Sequence, residues 1–296
     1  MNVTRLPDVD PRPRRVAVGM FDGVHLGHRA VIAGSDTVLT FDPHPLSVIA
    51  PGTQPPLLTT LDRKIELLEE LGVQETVIVP FDRGWAQHTA ETFVDEVLVG
   101  LLHATRVSVG ENFRFGHRAT GDTALLAADG RFELRVAPMI EVDGEIVSSS
   151  HIRGLVLGGA VEYADRLLGR PFRYCGTVGH GEKRGRDLGF PTANLVPREG
   201  YVVPGHGVYA AIAHLDDGSA VPAAVNVGVR PTFETGLGEL IEVFLIDWSG
   251  DLYGRELRVD FLKRLRGERR FASVDALVEQ MHEDVVAALA TVSGRT

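Results

Sequence analysis

The sequence of 296 residues predicts two domains of different fold class, an α/β domain with a doubly wound parallel sheet and an all-β domain that ends in a helix. Short apolar strands alternate with helical patterns in the first half, whereas the second half contains short strands separated by glycine-rich turns. The length is also sufficient for two hydrophobic cores. Gly169-Arg170-Pro171 interrupts the helical pattern between the halves, which predicts domains at residues 1–169 and 170–296.

The first half contains apolar or β-branched runs of the kind that form buried parallel strands. These runs are Val16–Phe21, Thr37–Phe41, Thr76–Val79 and Arg106–Val109. Apolar residues recur at helical spacing over Leu61–Leu71 and Ala90–Leu102. We expect the charged residues of the first of these helices, including Arg63 and Lys64, to lie on its outer side. Such alternation of strands and helices predicts a ligand site at the carboxyl ends of the strands.

A helical pattern over Val156–Leu168 precedes the second half, in which strands are short and turn residues are frequent. The strands are predicted at Tyr174–Val178, Gly207–Ile212, Ala220–Val227, Leu240–Ile246 and Leu257–Leu262. This rhythm is typical of an antiparallel barrel or sandwich. A last helix is predicted over about residues 273–289, for which Ser273 is a suitable N-cap.

The charge and cysteine content exclude several classes of function. Asp and Glu outnumber Lys and Arg by 40 to 30, and the net charge of −10 argues against a nucleic-acid-binding protein but not against nucleotide substrates. Cys175 is the single cysteine, which excludes an intrachain disulfide and a cysteine-based metal cluster. The sequence shows no signal-peptide core and no apolar run of roughly 18 residues, which predicts a cytoplasmic protein without a membrane partner. A homo-oligomer is compatible with these features.

The first chemical motif, Gly19-Met-Phe-Asp-Gly-Val-His25-Leu-Gly-His28, follows a predicted strand and leads into a predicted helix. Such a turn directs backbone N–H groups and the positive end of a helix at one point, which suits a phosphate. His25 and His28 are three residues apart, so both could contact one phosphate group and stabilise the charge that develops on it. The alternative is a surface loop with two histidines. The flanking strand, the glycines and the helix favour the phosphate site.

The second chemical motif is a basic, glycine-rich stretch from Gly176 to Asn194 that runs into a strand. It is neither a Walker loop nor a dinucleotide-binding fingerprint. Its glycines and basic residues could enclose phosphates, and the alternative is a solvated basic loop. Thr192 and Asn194 alternate along the strand, so both would face one side and offer oxygen ligands for Mg²⁺. In another context the same pair would belong to an ordinary surface strand.

A third chemical feature is Glu242, a lone carboxylate in the apolar strand predicted at Leu240–Ile246. Strand alternation places Ile241 and Val243 on the opposite face. Glu242 therefore points either to solvent or into a cleft, and the pattern alone leaves both alternatives open.

Together, the motifs resemble the bifunctional bacterial riboflavin kinase/FAD synthetase family, and the resemblance extends from Val16 to about Val285. The first motif is similar to the His-x-Gly-His signature of nucleotidylyltransferases, and Gly189-Phe-Pro-Thr-Ala-Asn194 is typical of riboflavin kinases. Further matching segments are Thr40–Pro45, Gly110–Gly116, Ser148–Arg153, Gly207–Ala210, Asn226–Phe233, Ile241–Asp247, Asp251–Gly254 and Leu265–Phe271. The resemblance implies a nucleotidylyltransferase-like parallel sheet followed by a riboflavin-kinase-like antiparallel β-barrel with a terminal helix.

The resemblance also implies roles for individual residues. In the first domain, the residues expected to bind FMN or ATP are Phe21, Asp22, Gly23, His25, His28, Asp42, His44, Asn112, Ser150 and Arg153. In the second domain, the residues expected to bind riboflavin or ATP are Gly179, Gly181, Lys183, Gly189, Thr192, Asn194, Arg230 and Arg266. Thr192 and Asn194 are the expected Mg²⁺ ligands, and Glu242 is the expected general base of the kinase. His25 and His28 are the expected catalytic residues of adenylyl transfer.

The implied function is phosphorylation of riboflavin by ATP to give FMN, followed by adenylylation of FMN by a second ATP to give FAD and pyrophosphate. Ser150 stands where the family commonly has Thr, a change that keeps the hydroxyl. The second departure is that only twelve residues separate His28 from Phe41, fewer than the family pattern leads us to expect, so the helix after the motif is predicted to shrink to about residues 29–34. This departure motivates an alternative, a riboflavin kinase whose first domain is catalytically impaired and only binds flavin or regulates. A third hypothesis is a non-enzymatic flavin-binding protein, which would require neither a metal site nor a general base.

Overall fold

The computed structural model describes residues 1–180, 189–230 and 238–295. The chain forms two compact units, Met1–Ser149 and Ser150–Thr296. The segment from residue 150 to residue 169 therefore groups with the second unit, which places the division earlier than the sequence pattern does. The boundary between residues 169 and 170, predicted to separate the two catalytic domains, stays a prediction.

The first unit is built on a parallel sheet, as the alternation of strands and helices predicts. Its strands are β1 (Asn2–Arg5), β2 (Arg14–Val18), β3 (Thr37–Asp42), β4 (Glu75–Pro80), β5 (Ala104–Gly110) and β6 (Glu133–Ala137). The strand order is β1-β4-β3-β2-β5-β6, and every neighbouring pair is parallel. The order of the strands reverses between β2 and β5. In doubly wound sheets this reversal is the place where ligands bind, outside the carboxyl ends of the strands.

Helices cover both faces of this sheet. The helices of this unit are α1 (Leu26–Ile32), α2 (Pro45–Ile49), α3 (Leu61–Glu70), α4 (Ala90–Thr92), which continues as a π-helix (Phe93–Leu101), and α5 (Thr123–Ala128). A hairpin of β7 (Glu141–Val142) and β8 (Glu145–Ile146) follows the last strand of the sheet. Val16 and Val18 of β2 pack towards the π-helix, whereas Ala17 packs towards α1 and α3. Successive residues of β2 thus enter two separate cores, which explains why the strand is apolar throughout.

Two details of this unit differ from the sequence-based expectation. Arg63 and Lys64 of α3 are buried, although they were expected on the outer side of the helix, whereas Leu71 is exposed. The guanidinium of the buried Arg63 pairs with Glu66 and Glu70 of the same helix. The helix after the first motif begins at Leu26 and has seven residues, so it is short but starts earlier than predicted.

The second unit contains an antiparallel barrel, which decides between the barrel and the sandwich. Its elements are α6 (Ser149–Leu157), α7 (Val161–Leu168), β9 (Phe172–Gly179), β10 (Ala193–Leu195), β11 (Gly207–His214), β12 (Ala220–Arg230), β13 (Gly238–Leu245), β14 (Glu256–Arg266) and α8 (Val274–Ser293). In the described ranges the strands close in the order β10-β13-β12-β11-β14-β9. Ser273 caps α8 by accepting a hydrogen bond from the N–H of Ala276, as predicted.

The single helix predicted over Val156–Leu168 is wrong, because α6 and α7 are separate helices. Gly159 lies between them with a φ of +79°, a conformation that ends a helix and favours glycine. A Cβ atom at this position would also lie 2.7 Å from the hydroxyl oxygen of Tyr209. No helix in the described part of the chain is long and apolar enough to cross a membrane.

Candidate active sites

The first predicted motif forms a buried turn at the reversal point of the sheet. Gly23 has a φ of +88°, and its N–H donates to the hydroxyl of Thr59 at 3.1 Å. One carboxylate oxygen of Asp22 accepts hydrogen bonds from the N–H groups of Leu58 and Thr59 at 2.9 and 3.2 Å. The Asp22 carboxylate therefore fixes the turn to the segment before α3. Its contact with a ligand stays a prediction.

The two histidines of the motif are brought together at the start of α1. His25 is the N-cap, and its Nδ1 atom accepts a hydrogen bond from the N–H of His28 at 3.2 Å. The two rings stack with centroids 3.5 Å apart, and Phe21 packs edge-on against His28. A Cβ atom at Gly27 would lie 3.1 Å from the His25 ring, so glycine leaves room for that ring. The predicted cluster of Phe21, His25 and His28 thus forms a compact aromatic group.

Lys64 of α3 lies near Asp22 of the first motif, although helical periodicity predicted it on the outer side of the helix. It is buried, and its ammonium group lies 3.4 Å from the hydroxyl of Thr40, which itself donates to the carbonyl of Met20. Burial lowers the pKa of Lys64 to about 8, while the charges of Asp22 and Asp42 oppose that shift. Lys64 is therefore a buried cation that interacts with the carboxylates of two predicted ligand segments. Helical periodicity gives no signal for such a residue.

The other predicted residues of the first site lie on several elements. Asp42 ends β3, and His44 caps α2 by accepting a hydrogen bond from the N–H of Leu46 at 3.1 Å. Asn112 is exposed in the turn after β5. Ser150 and Arg153 lie on α6, in the second compact unit, with Ser150 exposed and Arg153 buried. Their contacts with a ligand stay predictions.

The second predicted site is a row of polar residues across neighbouring strands of the barrel. Glu242 on β13 is the register partner of Asn194 on β10 and of Asn226 on β12, and Asn194 is the partner of Gly179 on β9. The amide nitrogen of Asn226 lies 3.4 Å from a carboxylate oxygen of Glu242.

The apolar neighbours of these residues on the same strands show which face carries the row. Val225, Val227, Ile241 and Val243 are fully buried inside the barrel, whereas Asn194, Asn226 and Glu242 are half-buried. Because alternate residues of a strand point to opposite faces, the polar row lies on the outer face of the barrel. Asn226 was not among the predicted site residues, although its place in an apolar strand is the same signal that identified Glu242.

Aromatic side chains and α8 lie beside this polar row. Phe244, two residues from Glu242, packs against Phe190, and Phe190 packs against His282 of α8. Ala288 of α8 contacts the same outer face of the barrel. The row is thus bordered by an apolar wall of the kind that a planar aromatic ring can stack against.

Arg266, a predicted kinase ligand, forms a bidentate ion pair with Asp284. Its Nε atom donates to Oδ1 at 2.9 Å and its Nη2 atom donates to Oδ2 at 2.7 Å, so this pair fastens α8 to β14. Gly189 is exposed with a φ of +87°, and Thr192 is half-buried just before β10. The predictions for Gly181, Lys183 and the side chain of Arg230 lie outside the described residues.

The fold and the two sites define a class of protein, a two-domain nucleotide-dependent transferase. The family model described as FAD synthetase matches residues 8–151, and the one described as riboflavin kinase matches residues 168–292. The chain belongs to the family of bifunctional riboflavin kinase/FMN adenylyltransferases, since curated members are similar to it over nearly their whole length. The predicted family and its two activities are thereby confirmed.

Three of these relatives illustrate the similarity. The bifunctional riboflavin kinase/FMN adenylyltransferase of Escherichia coli (strain K12) is 38% identical over 286 residues, covering 92% of this chain and 91% of the relative. The proteins of the same name from Haemophilus influenzae and Bacillus subtilis are 37% and 35% identical, covering 93% and 91% of this chain and 93% and 89% of the relatives. The alternative of a kinase with an impaired first domain finds no support in these comparisons.

A solved structure has the same fold over nearly the whole chain. It is a crystal structure from Streptococcus pneumoniae described as a macrolide-efflux protein, with a TM-score of 0.88 and 29% identity, covering 96% of this chain and 97% of that one. The description applies to that protein alone.

Proposed function

We propose that the polar row on the barrel is the site of FMN formation and that Glu242 is its general base. The observation that carries this proposal is the direct register pairing of Glu242 with Asn194 and Asn226 on one outer face. Glu242 accepts the proton of the ribityl 5′-hydroxyl as that oxygen attacks the γ-phosphorus of ATP and ADP leaves. The hydrogen bond from Asn226 orients one carboxylate oxygen and leaves the other for the substrate.

The donor set beside Glu242 fits the expected metal. Thr192 and Asn194 offer a hydroxyl and an amide oxygen, the hard ligands that Mg²⁺ prefers. When bound, the ion supplies positive charge that offsets the charge of the ATP phosphates. Phe190 and Phe244 form the apolar border against which the flavin ring would stack.

For the first unit, we propose that His25 and His28 stabilise the α-phosphate of ATP during adenylyl transfer. A phosphate oxygen of FMN attacks the α-phosphorus, and the bond to the leaving pyrophosphate breaks, so neither histidine needs a covalent role. The stacked rings support this proposal because both reach the same point at the reversal of the sheet. Lys64 holds Asp22 and Asp42 by charge, which keeps the two ligand segments together.

The kinase proposal is tested by the substitution Glu242→Gln. We expect FMN formation from riboflavin and ATP to fall by about 10²- to 10⁴-fold, because the general base is lost. Riboflavin binding, followed by flavin fluorescence, should stay near the parent value. The matched control is Glu256→Gln, which neutralises an exposed carboxylate of the same barrel. Unchanged FMN formation by the Glu242→Gln protein would remove Glu242 from the mechanism.

The partners that follow from this function are riboflavin, FMN and ATP. We propose the cytoplasm as the place of action, because ATP and the free flavins are available there. The excess of acidic residues gives no reason to expect a nucleic-acid partner.

A further inference from the structure

The carboxyl end of α1 is fixed by hydrogen bonds to each of its last four carbonyl groups. Helix ends leave such carbonyls without partners inside the helix. The carbonyl of Arg29 accepts from the N–H of Ala33 at 2.9 Å, and the carbonyl of Ile32 accepts from the N–H of Ser35 at 2.9 Å. The carbonyls of Ala30 and Val31, which lie between these two, accept hydrogen bonds from side chains of the sheet.

These two side chains are Ser108 of β5 and Arg135 of β6. The hydroxyl of Ser108 donates to the carbonyl of Val31 at 2.6 Å. The Nη1 atom of Arg135 donates to the carbonyl of Ala30 at 2.8 Å, and it also lies 3.3 Å from the carbonyl of Val31 and 3.1 Å from the Ser108 hydroxyl. Ser108 and Arg135 thus act on the same turn of the helix.

The sheet itself aligns this pair with α1. Ser108 and Arg135 are direct register partners in the parallel pairing of β5 and β6, so their side chains leave the sheet on the same face. Ser108 is fully buried and Arg135 is half-buried. A guanidinium group at this position also complements the negative end of the helix dipole.

A helix of seven residues is too short to be stable by itself, so its position depends on tertiary contacts. Val31 and Ile32 supply apolar contacts at its carboxyl half. His25 and His28 occupy the opposite end, where the two rings stack. A shift of the carboxyl end would therefore move the histidines with the helix.

We propose that Ser108 and Arg135 are positioning residues for adenylyl transfer, which act on His28 by capping the carboxyl end of α1. This inference rests on the role given to His28 under the proposed function. A longer helix would be held by the packing of additional turns. In the short helix α1, hydrogen bonds from Ser108 and Arg135 of the sheet take that part.

The substitution Arg135→Met tests the inference because it keeps the aliphatic stem and removes the donor. We expect kcat for FAD formation from FMN and ATP to fall by about ten- to a hundredfold, since small displacements of catalytic groups have effects of this size. FMN formation from riboflavin should stay at the parent rate in the same sample. The matched control is Arg106→Ala, which removes an exposed ion pair with Glu133 on the same two strands.

A double-mutant cycle with His28→Ala separates positioning from general destabilisation. If Arg135 acts mainly through His28, adding Arg135→Met to the His28→Ala protein should lower its residual FAD formation, measured with excess enzyme, by a much smaller factor than it lowers that of the parent. Equal losses in both backgrounds, or an Arg135→Met protein that matches the Arg106→Ala control, would overturn the inference. If Arg135→Met does not fold, Ser108→Ala is put through the same cycle, with a smaller loss expected.

The result for His28→Ala alone tells which proposal fails. Parent-like FAD formation by the His28→Ala protein would overturn the role of His28 in the proposed function. A large loss in His28→Ala without any loss in Arg135→Met would overturn only the positioning role.

Discussion

At the scale of single residues, His25 and His28 differ in how much each contributes to the stability of α1. The Nδ1 atom of His25 caps α1, whereas the ring of His28 lies on the helix and makes no cap. His25→Ala therefore removes both a cap and a group that we propose to stabilise charge on the phosphate. His28→Ala removes the proposed charge-stabilising group and the ring contacts with His25 and Phe21, but it removes no cap.

We expect His28→Ala to lower FAD formation by about a hundredfold or more while the unfolding temperature stays near that of the parent. His25→Ala should lower FAD formation and also cost about 1 kcal/mol of stability, as the loss of an N-cap usually does. Chromatography of FMN-fed reactions and thermal unfolding measure the two effects. A parent-like unfolding temperature for His25→Ala would show that the cap does not support the unit.

The burial of Lys64 makes the stability of the first unit depend on pH, and it determines the direction of that dependence. Its pKa falls from 10.5 to about 8 on folding, so the unfolded chain binds the proton more tightly between these values. The contribution of Lys64 to stability therefore rises with pH from about 8 to 10.5 and does not change below 8. The attraction of its ammonium group to Asp22 and Asp42 changes in the opposite direction, because it is lost as the pH rises through 8.

FAD formation should accordingly decline on the alkaline side with an apparent pKa near 8. Lys64→Arg keeps the charge across this range, so its decline should move to higher pH, whereas Lys64→Met should show no titration there and a low rate throughout. Rates of FAD formation from FMN between pH 6.5 and 9.5 (roughly 1.5 units either side of that pKa) test this expectation. Identical alkaline declines for the parent and Lys64→Arg would contradict it.

At the scale of secondary-structure elements, a buried ion pair supplements the apolar contacts that join α8 to the barrel. The side chains of Arg266 and Asp284 are 13% and 8% exposed, and they form a bidentate contact. Asp284→Asn leaves the guanidinium without its counter-charge, which should cost about 3 kcal/mol. Arg269→Ala, which removes an exposed hydrogen bond to Gln280, is the control and should change stability by less than about 0.5 kcal/mol.

Thermal unfolding and heat inactivation of FMN formation report this loss. The Asp284→Asn protein should unfold and lose its kinase activity at a clearly lower temperature than the Arg269→Ala protein. Equal temperatures for the two variants would show that the ion pair does not fasten α8.

Most elements follow from the sequence, and those that do not have a physical reason. The apolar runs predicted the strands β2 to β5 and the barrel strands β9 and β11 to β14. The strands β1 and β6 contain no such run, because they lie at the two edges of the sheet and are defined by pairing with β4 and β5. The break between α6 and α7 lies at Gly159, whose positive φ ends the helix, and the periodicity of apolar residues does not detect it.

At the scale of the whole molecule, the residues that we propose to carry the chemistry stand in sequence motifs, and the fold adds residues that contact or face these segments. His25, His28, Asn194 and Glu242 stand in recognisable local patterns. Lys64, Ser108, Arg135 and Asp284 instead take their positions from partners far away in the sequence. Charged residues on helices are expected at the surface, so a sequence pattern places them outside unless their partners are known.

The central claim is that one chain carries two separable active sites, and the most direct test combines variants of each. Riboflavin, ATP and Mg²⁺ are supplied to the parent, to Glu242→Gln, to His28→Ala and to an equimolar mixture of the two variants, and FMN and FAD are quantified over time. We predict both products from the parent, neither from Glu242→Gln, FMN alone from His28→Ala, and FAD again from the mixture. A mixture that forms no FAD, or variants that each lose both activities, would contradict the assignment of one reaction to each unit.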